Sequence, residues 1–193
     1  MIDINNIRKD FPMYRNDGKF ENLPLHYLDN AATTFKPYSV INEIDHYYKD
    51  ICANAHRGDY SLAHAVDLAF EGARNRIAEF INADPDEVCF TSGDSMGMNE
   101  VAYGLLPLLK AGDEIVLSFA EHASNVLPWF KVAKLTGAVI KYVPLTKEGR
   151  VTAKNLKSVL SKKTKIVSLA SVTNVLGYLL PVKELVSLAH SVG

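Results

Sequence analysis

The chain has 193 residues, 48% hydrophobic and 22% charged, enough apolar material for a sizeable core and too much for a disordered protein. Lys and Arg total 21 against 22 for Asp and Glu, so the net charge of -1 excludes a global attraction to nucleic acid or to an anionic membrane. Any anion site has to be local.

Two cysteines occur, Cys52 and Cys89, with neither a CxxC pair nor metal-finger spacing, which fits a reducing cytoplasm and predicts no metal site. Charges run through Met1 to Asp10 where a signal peptide needs an apolar stretch, and no segment reaches membrane-spanning length. A cytoplasmic protein with no membrane partner is expected.

Residues 1–25 read as an N-terminal arm, a short helix and then a loop with a turn at Asn16-Asp17-Gly18. A brief strand at His26-Tyr27-Leu28-Asp29 breaks into Asn30-Ala31-Ala32-Thr33-Thr34, whose small side chains would let a ligand approach the backbone, a composition that ordinary loops share. Pro37 opens a helix with Ile41, Ile44, Tyr47 and Tyr48 on one face. The stretch from Cys52 to Gly58 interrupts it with the pair His56-Arg57, most often a solvated surface feature. A long helix over 61–81 follows, with Leu62, Val66, Phe70, Ala73, Ile77 and Phe80 as an apolar stripe that belongs in the core.

From residue 84 strands and helices alternate, with strands expected at 87–91, 114–118, 138–143 and 165–171 and helices at 96–109, 126–136, 152–160 and 182–191. Near-continuous apolar strands, as from Glu114 to Leu117 and from Lys165 to Leu169, predict an α/β fold whose mainly parallel sheet is covered on both faces. Cys89 then falls in the core. The alternation stops in mid-pattern at Gly193, so residues 26–193 read as an incomplete domain.

The stretch Phe90-Thr91-Ser92-Gly93-Asp94-Ser95 feeds an expected strand into an expected helix. Such a turn leaves the first helical amides pointing outward with the positive end of the helix dipole behind them, a place suited to an anion such as phosphate. Asp94 or Ser95 acting as N-cap explains the same residues. In parallel sheets ligands gather outside the carboxyl ends of the strands, and three polar loops leave strands there: 91–95, 120–125 and 171–176. Gly93, His122 and Asn174 would then line one crevice.

Taken together, Tyr27-Leu28-Asp29-Asn30-Ala31-Ala32-Thr33, Asn54-Ala55-His56-Arg57-Gly58, Phe90-Thr91-Ser92-Gly93, Glu121-His122 with Ser124-Asn125, Pro128-Trp129 and Asn174-Val175-Leu176-Gly177 resemble, in order, the N-terminal half of SufS-like cysteine desulfurases. These are class V enzymes of pyridoxal-phosphate (PLP) fold type I. The resemblance implies a truncated large domain of that fold. It also implies PLP as cofactor, L-cysteine as substrate of the complete enzyme, alanine and an enzyme-bound persulfide as products, and a role in iron-sulfur cluster assembly. A homodimer and a sulfur-acceptor protein are the implied partners.

By the same resemblance Gly93, Asp94 and Ser95 hold the cofactor phosphate, His122 stacks on the pyridine ring as the catalytic histidine, and Asn174 bonds a ring substituent. Asn30, Ala31, Ala32, His56 and Arg57 border the substrate. The sequence departs from the family pattern where Asp94 and Ser95 replace two threonines, Met96 replaces a glutamate and Ala123 replaces a histidine. Asp94 puts a carboxylate against a dianion, which opposes binding. In the family the aspartate on the pyridine nitrogen, the Schiff-base lysine and the persulfide cysteine all lie beyond the point corresponding to Gly193. Lys162, Lys163 and Lys165 form a charged turn with no claim to replace that lysine. The expectation is therefore weak or absent PLP binding and no desulfurase activity in this chain alone.

Two other readings use different chemistry. One is a non-catalytic module that pairs with a full-length or complementing chain. The other is a Rossmann-like nucleotide binder, weakened by the lack of a G-x-G-x-x-G or Walker-type run.

Overall fold

A computed structural model describes residues 2–15 and 17–193, so the Asn16 part of the expected turn lies outside the described residues. The chain forms two compact units, Met1–Cys89 and Phe90–Gly193.

In the first unit, α1 (Ile4–Arg8) begins at Asp3, whose carboxylate accepts the amides of Asn5 and Asn6, both at 3.1 Å. A 3-10 turn at Pro12–Tyr14 leads into a hairpin of β1 (Lys19–Phe20) and β2 (Leu23–Pro24). Its two central residues, Glu21 and Asn22, both have positive φ, 50° and 66°, as a twist-matched two-residue turn requires. Pro37 is the extended N-cap of α2 (Tyr38–Asp50), not its first helical residue. The long helix α3 (Ser61–Ile81) keeps the expected bounds and stops where Asn82 turns left-handed at φ 56°.

The second unit runs α4 (Asp94–Leu105), β3 (Glu114–Ser118), α5 (Ala123–Thr136), β4 (Val139–Val143), α6 (Ala153–Lys157), β5 (Thr164–Val167) and α7 (Val182–His190). The strands form a parallel sheet in the order β4-β3-β5, so the α/β fold with a parallel sheet expected from the sequence is present. β3 is central and its side chains alternate between two apolar layers. Ile115 and Leu117 pack with Ala102, Trp129 and Val132, whereas Val116 packs with Val143, Val151, Leu156, Leu180 and Leu185. Gly137 ends α5 at φ 77° with Ala111 only 2.9 Å from where a Cβ would stand, so both conformation and space call for glycine.

Several expectations are corrected. Residues 26–29 and 87–91 belong to none of the strands; Val88 is extended, but apolar composition cannot supply the neighbouring chain that a ladder needs. Cys89 is exposed, not core. Of the α3 stripe only Val66 is buried; Phe80 is 90% and Ile77 40% exposed, and the buried alanines are Ala63 and Ala78. Helical period identifies which face is apolar, not whether another layer covers it. α5 starts three residues early because His122 can cap it, and β5 ends at Val167; Ser168 still donates its amide to the Val116 carbonyl, and only at Ala170 does the backbone donate to a side chain, Glu121.

Candidate functional site

The site in the second unit is assembled from two helix starts and the ends of two strands. Gly93 is the N-cap of α4, so neither Asp94 nor Ser95 caps the helix. Its φ of 155° and ψ of 174° lie in a region essentially open to glycine only, and a Cβ there would meet nothing within 4 Å. Glycine is required by the backbone, and the space beside it is open. The Thr91 hydroxyl donates to the Gly93 carbonyl at 3.0 Å and braces the turn. Among the described residues no side chain accepts from the Asp94 or Ser95 amides, and the exposed Asp94 carboxylate forms no ion pair. Met96 turns its sulfur to the Ser92 hydroxyl at 3.3 Å.

His122 follows the carboxyl end of β3 and is itself the N-cap of α5. Its Nδ1 accepts the Ser124 amide at 3.2 Å and lies 3.0 Å from the Ser124 hydroxyl. The same hydroxyl is 2.7 Å from that of Ser95. Ser124 thus joins the start of α4 to the start of α5 and brings two of the expected site residues, Ser95 and His122, into one hydrogen-bonded chain.

Beneath His122 the loop is fastened to the next strand. Glu121 accepts from the Ser118 hydroxyl at 2.8 Å, from the Asn125 amide group at 2.8 Å, and from the Ala170 backbone amide with both oxygens, at 3.2 and 3.0 Å. Asn125 in turn accepts from Trp129 Nε1 at 3.2 Å and from the Ser168 hydroxyl at 2.5 Å. The loop after β3 and the segment after β5 are therefore held together.

Asn174 sits further along, in a turn closed by the Thr173 amide on the Tyr178 carbonyl and by the Val172 to Leu179 bridge. It is exposed and makes no side-chain hydrogen bond to Ser95 or His122. Sequence reasoning named Glu121, Ser124 and Asn125 as part of a motif without giving them roles. The available signal was the spacing of Glu121, Asn125 and Trp129, four residues apart along one helical face.

At the opposite, amino-terminal end of the sheet, Glu114 accepts from Ser161 at 2.6 Å, Thr164 at 3.2 Å and Lys141 at 3.2 Å. The Ser161 hydroxyl first, and then Lys141, hold its carboxyl below the usual range against the opposing effect of burial. Lys162 and Lys163 lie at this end too, in the turn before β5, away from His122.

In the first unit, Asn30, Ala31 and Ala32 form an exposed turn closed by the Ala32 and Thr33 amides on the Asp29 carbonyl. Asn30 borders a cavity of about 320 Å³ walled by Ile7, Phe11, Tyr14, Tyr27 and Phe35. His56 adopts a left-handed backbone, φ 60°, secured by its amide on Asp67 at 2.6 Å. Its ring faces Asp67 and Glu71 of α3, at 3.7 and 3.4 Å, with its edge to Phe70. Arg57 is exposed and has no ion pair among the described residues. No group of His, Cys, Asp and Glu suited to a metal occurs among the described residues, and no described helix is long and apolar enough to cross a membrane.

Residues 26–193 match the family Aminotransferase class-V. The chain belongs to that family. Among its class-V relatives, a "Probable cysteine desulfurase" of Halalkalibacterium halodurans is 43% identical over 195 residues, covering 100% of this chain and 47% of the relative. The apo cysteine desulfurase from Thermococcus onnurineus NA1 superposes with a TM-score of 0.89 at 32% identity, over 99% of this chain and 46% of that one. The cysteine desulfurase CsdA from Escherichia coli gives 0.84 at 31%, over 100% and 47%. This class-V chain spans about half the length of the curated relatives it matches.

Proposed function

We propose that the chain carries the phosphate-holding and ring-facing part of a PLP-dependent cysteine desulfurase, which takes sulfur from L-cysteine for iron-sulfur cluster assembly and leaves alanine. The observation that carries this reading is the Ser95–Ser124–His122 chain, with its 2.7 Å hydroxyl contact, beside a glycine turn with open space. The residues fit the cofactor's phosphate: the Asp94 and Ser95 amides and the Ser95 hydroxyl are donors at a helix start. The exposed His122 imidazole offers a flat face to an aromatic ring, and Asn174 offers an amide to a ring oxygen. PLP, when bound, supplies an electron sink for bonds at the amino-acid α-carbon. Residues of the second unit would fix the phosphate and orient the ring; the assignment of Asn30 to Ala32, His56 and Arg57 to the substrate rests on the family resemblance alone.

On this reading the Asp94 carboxylate weakens anion binding by like charge, so PLP binds this chain weakly. Lys162 and Lys163 lie in the turn before β5, at the end of the sheet opposite His122, so neither stands where it could bond a cofactor there, and we infer that the 193-residue chain releases no alanine by itself. An absorbance titration of the 193-residue protein with PLP, competed by inorganic phosphate, tests the reading. Saturable binding that Ser95→Ala and His122→Ala each weaken is expected; the absence of saturable binding overturns it. Alanine formed from cysteine by the chain alone would overturn the inactivity.

A second reading, an interaction module that pairs with a full-length or complementing class-V chain, is favoured by the uncovered apolar residues of α2 and α3. Ile44 is 52%, Tyr48 70% and Phe80 90% exposed. A homodimer, or a sulfur-acceptor protein, would be the partner. Sedimentation of the protein as a monomer at every accessible concentration would count against it.

A further inference from the structure

We propose that Ser124 is the positioning residue of this site: it holds His122 in the tautomer with its proton on Nε2 and, through Ser95, makes the imidazole respond to an anion at the start of α4. The tautomer stands on geometry alone; its meaning for a cofactor rests on the functional reading above.

A backbone amide can only donate. The Ser124 N–H aimed at His122 Nδ1 at 3.2 Å therefore requires a lone pair there, and the proton of the neutral ring goes to Nε2. The Ser124 hydroxyl is placed to reinforce this, 3.0 Å from the same nitrogen. It has one proton and two takers, Nδ1 and the Ser95 oxygen at 2.7 Å. With no anion at α4, Ser95 donates inward to Ser124, and Ser124 donates to Nδ1. An anion at α4 draws the Ser95 proton outward, leaving the Ser95 oxygen to accept from Ser124. Nδ1 then keeps only the amide. Each hydroxyl turns without a proton changing owner, so the arrangement transmits occupancy by reorientation.

The test uses the full 193-residue chain, ¹⁵N-labelled, with imidazole nitrogen spectra recorded at about pH 8.5, above the ordinary histidine range. Inorganic phosphate is the probe. A pyridine-type Nδ1 and a pyrrole-type Nε2 are expected for His122, with phosphate shifting Nδ1 towards its less hydrogen-bonded value. Ser124→Ala keeps the amide and so the tautomer, but loses the phosphate response; Ser124→Thr restores it. Ser124→Pro, tolerable in a first helical turn, removes both donors and mixes the tautomers.

A proton on Nδ1 in the wild type, mixed tautomers there, or a phosphate effect equal in Ser124→Ala would overturn the inference, as would an Nδ1 that ignores phosphate in the wild type. PLP binding with an unresponsive Nδ1 overturns this inference and leaves the functional reading standing. The expected tautomer and phosphate response with no PLP binding do the reverse.

Discussion

Both carboxylate oxygens of Glu121 accept the backbone amide of Ala170, at 3.2 and 3.0 Å, across 49 residues of chain. This joint fixes the His122 loop to the segment that leaves β5, and the same carboxylate also takes the Ser118 hydroxyl and the Asn125 amide group.

Glu121→Ala leaves those donors without an acceptor in a half-buried place. A loss of about 2 kcal/mol is expected, since each unsatisfied buried donor costs roughly 1–3 kcal/mol and solvent recovers part of it. Glu121→Gln keeps one acceptor oxygen and loses less. Urea unfolding followed by fluorescence measures both, because Trp129 is the single tryptophan and is 1% exposed in the core of the second unit.

Gly93→Ala separates backbone cost from crowding. Nothing stands within 4 Å of the added methyl, so the penalty is conformational, about 1–3 kcal/mol. Phosphate competition against PLP should weaken in parallel. An alanine variant with unchanged stability would show that the turn can adopt another backbone conformation.

Gly58→Ala acts through space instead. The added Cβ meets Tyr60 Cε1 at 2.5 Å and Ala63 Cβ at 2.7 Å, and Ala63 is fully buried. The Tyr60 ring can swing aside and Ala63 cannot, so a loss of about 1–3 kcal/mol is expected from overpacking. Thermal unfolding read by far-ultraviolet dichroism checks it, and Tyr60→Ala in the same chain should recover only the ring's share.

Glu114 gives the stability a defined acid limb. Its folded pKa is depressed, chiefly by Ser161 and then Lys141, so its contribution is complete above the unfolded value, roughly 4.3, and is lost as pH falls through the folded one. Glu114→Gln should lower the melting temperature at neutral pH and flatten its fall in acid. Identical acid limbs in the variant and the wild type would remove Glu114 from the cause.

The bounds of β3 and α3 were legible because a central parallel strand and a long amphipathic helix carry strong periodic signals. The segments 26–29 and 87–91 misled because strand-like composition says nothing of a ladder partner. The β1–β2 hairpin escaped notice because Glu21-Asn22 is not the Asn-Gly pair that announces such a turn. At the site, the helix starts at Gly93 and His122 were legible from small and polar residues ahead of apolar helical runs, although a strand directly precedes only the His122 loop. The roles of Glu121, Ser124 and Asn125 were not, since Glu and Asn four residues apart occur on many helices and only folding brings Ser168 and Ala170 to them.

The two-sided burial of β3 also sets the order in which the second unit comes apart. With Ile115 and Leu117 committed to one layer and Val116 to the other, a slip of one residue would turn every side chain to the wrong partner. The peptide groups of this strand should be the slowest in the unit to trade hydrogen for deuterium, opening only when the whole unit melts.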